Sequence, residues 1–153
     1  MGEWDVAKAF FPRTGEPIRT AGRCSQTLLH GGLFLKSDFV FGQGDRASTG
    51  QGIIGFEPET GVFTSVWTDS RQTRMSLRQS RGGDAFDGRQ IVLFSKSLDA
   101  ETKDARRSRT VSSLDAAGNT LTHRQYSLSP NGEERLIMEL GLTRTAKPAP
   151  AGF

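Results

Sequence analysis

Residues 120–145, TLTHRQYSLSPNGEERLIMELGLTRT, decide how this chain is built. Asn131-Gly132, a pair suited to the backbone of a tight hairpin, stands between two runs of alternating character. After it, Leu136, Met138, Leu140 and Leu142 recur at every second position, with Ile137, Glu139 and Thr143 between them. Side chains alternate across a strand, so Glu134 to Thr145 reads as one strand with a single apolar face. Before the turn, Thr120 to Ser129 is less clear. Leu128 argues that the face of Arg124 and Tyr126 points inward, whereas Leu121 argues for the face of His123 and Gln125. The choice stays open at this stage.

The same punctuation recurs upstream every ten to fifteen residues. Gly, Pro, Asn and Asp clusters separate β-like runs at Gly2–Phe10, Pro17–Leu29, Leu33–Phe41, Ser48–Phe56, Gly61–Asp69, Gln72–Ser80, Gly88–Leu98 and Ala105–Leu114. In the sixth, Thr73, Met75 and Leu77 share a face, and Arg74, Ser76 and Arg78 share the other, so the first set is expected inside. No window repeats apolar residues at helical spacing over ten positions, which excludes a long helix. A short helix at Asp99–Asp104 would change nothing. Ten strands in consecutive hairpins predict an all-β, antiparallel up-and-down barrel, closed so that no edge strand is left to pair between molecules. The domain is expected over residues 2–145, with 146–153 a loose tail.

Composition narrows the function. The chain has 153 residues, of which 35% are hydrophobic, enough for one domain with a core. It has no apolar run near the roughly 20 residues that cross a bilayer. The opening Met1-Gly2-Glu3-Trp4-Asp5 is no secretory signal, and Val6 stands where myristoylation requires Ser or Thr. Cys24 is the only cysteine, so no internal disulfide forms and a cytoplasmic location is expected. The net charge of +3 is too small to predict nucleic-acid binding. Arg71, Arg74, Arg78, Arg81, Arg106, Arg107 and Arg109 are expected mainly on the outer surface. His30 and His123 lie far apart without ligand-spaced partners, so no metal is expected. Nothing else supports His123 as a haem ligand, and no cofactor is expected.

Gly2-Glu3-Trp4 begins the first strand, and Arg144 falls in phase with the apolar face of the last. This pairing resembles the calycins, the lipocalin-like barrels, in which a Trp closes one end beneath an Arg. Such a plug is a cation–π contact reinforced by hydrogen bonds to carbonyls. The likeness extends from Gly2 to Thr145. It is carried by Gly2-Glu3-Trp4-Asp5-Val6, Leu28-Leu29-His30-Gly31-Gly32-Leu33-Phe34-Leu35, Gly50-Gln51-Gly52-Ile53-Ile54-Gly55-Phe56, Trp67-Thr68-Asp69-Ser70, Pro130-Asn131-Gly132-Glu133-Glu134 and Leu142-Thr143-Arg144. On these residues the chain resembles the bacterial family called domain of unknown function 1579. It departs at Phe56-Glu57, where that family has Tyr-Asp. The resemblance implies a barrel and no activity.

The expected function is reversible binding of a small apolar or amphipathic molecule inside the barrel, by a monomer or homodimer. The expected lining is Val6, Phe10, Leu35, Phe39, Ile54, Trp67, Asp69, Met75, Leu77, Leu93, Arg124, Tyr126, Met138 and Leu140. Arg124-x-Tyr126 resembles the carboxylate anchor of intracellular fatty-acid-binding barrels. Inward-facing Gly22, Cys24 and Gly52 are expected to leave room for the ligand. No catalytic residue is assigned: the chain has no nucleophile elbow, and neither histidine is placed by a motif. Two alternatives remain, an enzyme using Asp69 or Tyr126 as its acid–base group and a solidly packed interaction module.

Overall fold

A computed structural model describes residues 1–82, 86–95 and 107–145. Its strands are β1 (Gly2–Phe10), β2 (Ile18–Leu29), β3 (Phe34–Phe41), β4 (Ser48–Glu57), β5 (Val62–Asp69), β6 (Ser76–Gln79), β7 (Gln90–Ser95), β8 (Arg107–Leu114), β9 (Thr120–Leu128) and β10 (Glu134–Arg144). Each pairs antiparallel with the next, and β10 returns to β1, so the ten strands close into a barrel. The only helical turns among the described residues are the three-residue pieces His30–Gly32 and Gly44–Arg46. The segment 99–104 and the tail 146–153 lie outside the described residues.

Odd-numbered strands end, and even-numbered strands begin, at one end of the barrel, called the mouth here. At the other end Arg144 lies over Trp4, its guanidinium carbon 4.3 Å from the ring centroid. It donates from Nε and Nη2 to the Gly118 carbonyl and from Nη1 to that of Met1. This is why Gly2 must be glycine: its φ is +133°, and a Cβ there would meet Nη1 at 2.6 Å.

Trp4, Val6, Cys24, Phe39, Phe41, Leu140 and Leu142 form the buried core against the walls of β1, β2, β3 and β10. Trp4 is 2% exposed and Leu142 1%. At roughly 1.5–3 kcal/mol for each large apolar side chain buried, this cluster supplies much of the driving force for closure.

Two face assignments from the sequence are corrected. β6 is much shorter than the run Gln72–Ser80, because the Asp69 carboxylate accepts from the Arg71 backbone N–H and from Gln72 Nε2 and holds residues 70–75 in a loop. Met75 therefore lies in that loop, 64% exposed, and not in the barrel interior. Leu77 pairs with Val66, and the row Ile54, Ser65, Arg78 shares the inward face, so Leu77 points outward and Arg78 inward. In β10, a bulge between Leu136 and Met138 moves Leu136 to the face of Tyr126, while Met138, Leu140 and Leu142 stay inward.

Candidate functional site

Cross-strand neighbours share a face, so the lumen can be read row by row from Trp4. One row runs Trp4, Cys24, Phe39, Gly50, Asp69. Another runs Leu140, His123, Ser112, Ile91, and a third Met138, Gln125, Thr110, Leu93. Ile54, Ser65, Arg78 and Ser95 complete the circuit, with Leu35 beside Ile54. The two sides of the lumen therefore differ: aromatic and aliphatic around β1 to β4 and β10, mixed and polar from β6 to β9.

The small inward residues do not leave the expected room. Trp67 lies across β4 so closely that a Cβ on Gly50 would meet its ring at 2.3 Å, and one on Gly52 at 3.3 Å. A Cβ on Gly22 would meet the Val40 carbonyl at 2.4 Å and the Phe41 ring at 3.0 Å. Phe39 meets Trp67 edge-on and stacks on Phe41. Cys24 is sealed in this cluster, and its thiol is pushed up to about 12, chiefly by burial. That excludes a reactive thiolate at neutral pH.

Opposite lie His123, whose face the sequence left open, and Arg78, which it placed on the outer surface. His123 faces the lumen with Nδ1 2.8 Å from Ser112 Oγ. Burial, followed by the charge of Arg78, pushes its pKa down to about 4, so the ring is neutral at pH 7. Arg78 lies deep beside it, and burial lowers its pKa too, although a guanidinium stays charged. Its Nε is buried without a hydrogen-bond partner, a state shared among the described residues only by the Trp4 indole N–H. Yet Arg78, Ser112, His123 and Gln125 are only half-buried. Each of these inward groups thus keeps some exposure to solvent.

The mouth holds a cleft of about 300 Å³ lined by Lys8, Thr20, Phe41, Arg46, Ala47, Ser48, Ser70 and Arg71. Lys8 Nζ sits 4.7 Å from the Phe41 ring centroid. Its pKa is lowered, first by burial and then by Arg71, with Asp69 opposing. Phe10 faces inward by register but is 40% exposed at this rim.

Of the expected lining, Val6, Phe39, Leu93 and Leu140 are buried on the inward face, and Leu35, Ile54, Trp67 and Met138 lie half-buried on it. Asp69 is inward at the mouth but engaged. It accepts from Trp67 Nε1 at 3.0 Å, from Arg71 N at 2.9 Å and from Gln72 Nε2 at 3.0 Å. Burial works to raise its pKa, but these bonds and Arg71 hold it below the usual carboxylate range. Arg124 and Tyr126 are corrected. Gln125 takes the inward place beside Thr110, which is 1% exposed, so its neighbours must face out. Arg124 pairs with Glu139 on the outer wall at 2.6 Å, and Tyr126 lies beneath the Arg109 guanidinium. No anchor of the fatty-acid-binding type exists there.

Sequence reasoning missed Arg78 by taking its strand's apolar alternation for the core face. The one available signal was Trp67. Two residues from Asp69 on the inward face of β5, it stands opposite Ser76, which fixes Arg78 inward. Among the described residues no group of three or more His, Cys, Asp or Glu could hold a metal ion. No helix there is long and apolar enough to cross a membrane.

No curated protein matches the chain at a significant level. Among solved structures, Rv2717c from M. tuberculosis is similar, with a TM-score of 0.63 at 15% identity over 95% of this chain and 92% of that one. At that identity the likeness speaks for the barrel alone. A family model covers residues 1–144, and the chain belongs to that family, described as Protein of unknown function (DUF1579).

Proposed function

We propose that this barrel binds a small, largely apolar molecule in its lumen. The observation that carries the reading is the open side of the barrel, where deep groups on β6, β8 and β9 stay half-buried and Arg78 keeps an unsatisfied Nε. A packed interior would seal them or give them partners. Apolar Ile54, Ile91, Leu93 and Met138 share the space, which matches the usual make-up of a small-molecule site. The Trp4–Arg144 contact is the ground for placing the barrel with the calycins. The enzyme alternative is weakened at both of its named groups: Tyr126 faces outward, and Asp69, at the end of β5, is engaged by Trp67, Arg71 and Gln72 and held low in pKa, which makes it a poor base. The packed-module alternative draws on the sealed cluster around Phe39, against which Trp67, Met138 and, from β8 and β9, Leu114 and Leu121 pack.

Native mass spectrometry of freshly purified protein should show a retained small molecule, and it reads the oligomeric state as well. In parallel, a neutral apolar fluorophore should bind the wild type and be displaced from Ile54→Trp, which adds bulk to the lumen. Equal binding by Ile54→Trp and wild type would place the fluorophore elsewhere and overturn the reading.

A further inference from the structure

We propose that the lumen ligand is an amphipathic carboxylate whose head group docks on Arg78. This rests on the lumen-binding reading above and names the chemistry of its ligand. Two other guanidiniums of this wall have acid partners on the outside: Arg109 reaches Glu134 through Nε and Nη2, and Arg124 reaches Glu139. On strands β6 to β9 Arg78 alone of the described arginines turns inward, and no carboxylate among the described residues pairs with it. An uncompensated buried cation is costly, and a bound anion removes that cost.

The surroundings define the anion. Ser65 flanks Arg78 in the same row, and the neutral His123 adds no second charge. A single guanidinium matches one negative charge and forks onto the two oxygens of a carboxylate. A phosphate dianion would bring a second charge with nothing inside to meet it. Ile54, Ile91, Leu93 and Met138 face the same space, and they suit a hydrocarbon tail behind that head group. The mouth agrees independently: Lys8, Arg46 and Arg71 surround the cleft there, and their field favours an anion on its way in.

The test compares cis-parinaric acid with its methyl ester, which share a fluorescent tail and differ by one charge. At pH 7.5 the acid should bind the wild type about tenfold or more tightly than the ester. Arg78→Met should remove that preference by weakening the acid alone, and Arg78→Lys, which keeps the charge without the fork, should restore part of it. Arg71→Met, at the mouth, should leave the ratio unchanged. Should Arg78→Met fail to fold, the Arg78 Nε–H resonance of the wild type gives the same answer: it should shift with the acid and not with the ester. Equal binding of acid and ester, or a preference lost in Arg71→Met instead, overturns the carboxylate proposal and leaves lumen binding standing. Binding of neither probe overturns both.

Discussion

The two sides of the barrel are made of the same kind of strand but do different work. Around β1, β2, β3 and β10, seven side chains lock into one sealed cluster. From β6 to β9, only Leu93 and Thr110 are sealed among the described residues. Sealing one side with aromatic residues stabilises the closed sheet without filling the other. In the lumen-binding reading, one side holds the shape of the barrel and the other keeps the space. Polar residues tolerate the open side because water or a ligand can satisfy them there.

The sharpest break of this comparison would come from matched truncations. Leu142→Ala should destabilise the protein by about 3 kcal/mol, the usual cost of a cavity in a sealed core, and Ile91→Ala by about 1 kcal/mol or less. Urea melts of the two variants check this, and equal losses would erase the distinction between the sides.

Acid should act on the open side first. His123 is neutral in the fold with its pKa pushed down to about 4, against an ordinary 6.5. Above pH 6.5 both states are unprotonated, and stability does not depend on this group. Between 6.5 and 4 the unfolded chain takes up a proton that the fold refuses, so stability falls as pH drops, by about 3 kcal/mol in all. The carboxylates held low, such as Asp38 and Asp69, add their own losses only at lower pH. His123→Gln, which can keep the bond to Ser112, should flatten the curve between pH 6.5 and 4.5. An unchanged slope would show that solvent, not protein, surrounds the ring.

The smallest effect has the opposite sign. Arg78→Met should stabilise the ligand-free protein by about 1 kcal/mol, since an unpartnered cation gives way to an apolar chain of similar length. A thermal melt reads the change. Destabilisation would mean that Arg78 is held by the fold and does not wait for a partner.

The sequence made the barrel legible because, wherever their ends lie among the described residues, the strands other than the sixth were bounded within a few residues by Gly, Pro, Asn or Asp. Faces were legible only where one face was polar. In β10 the alternation from Met138 to Leu142 pointed inward, but Leu136 sat beyond a bulge that no residue pattern marks. In β7, Ile91 and Leu93 alternate with Val92 and Phe94, so either phase looked like core. In β6 the apolar phase was the outer one. Leu77 packs beside Val66 and Ile53 on the outer wall, a set whose hydrophobicity mimics an interior. His123 and Arg78 were therefore hidden for one reason: where the inward face of a strand is polar, no hydrophobic signature marks it.

The Arg144 clasp has a mechanical consequence. Gly2 and Arg144 lie at the same end of the barrel, on antiparallel neighbours. A pull between them peels β1 from β10 one rung at a time, the geometry in which a hydrogen-bonded ladder resists least. A pull between Phe10 and Arg144 would instead load all seven paired positions in shear together. The guanidinium, stacked on Trp4 and tied to the carbonyls of Met1 and Gly118, is fastened to the rung where peeling has to begin.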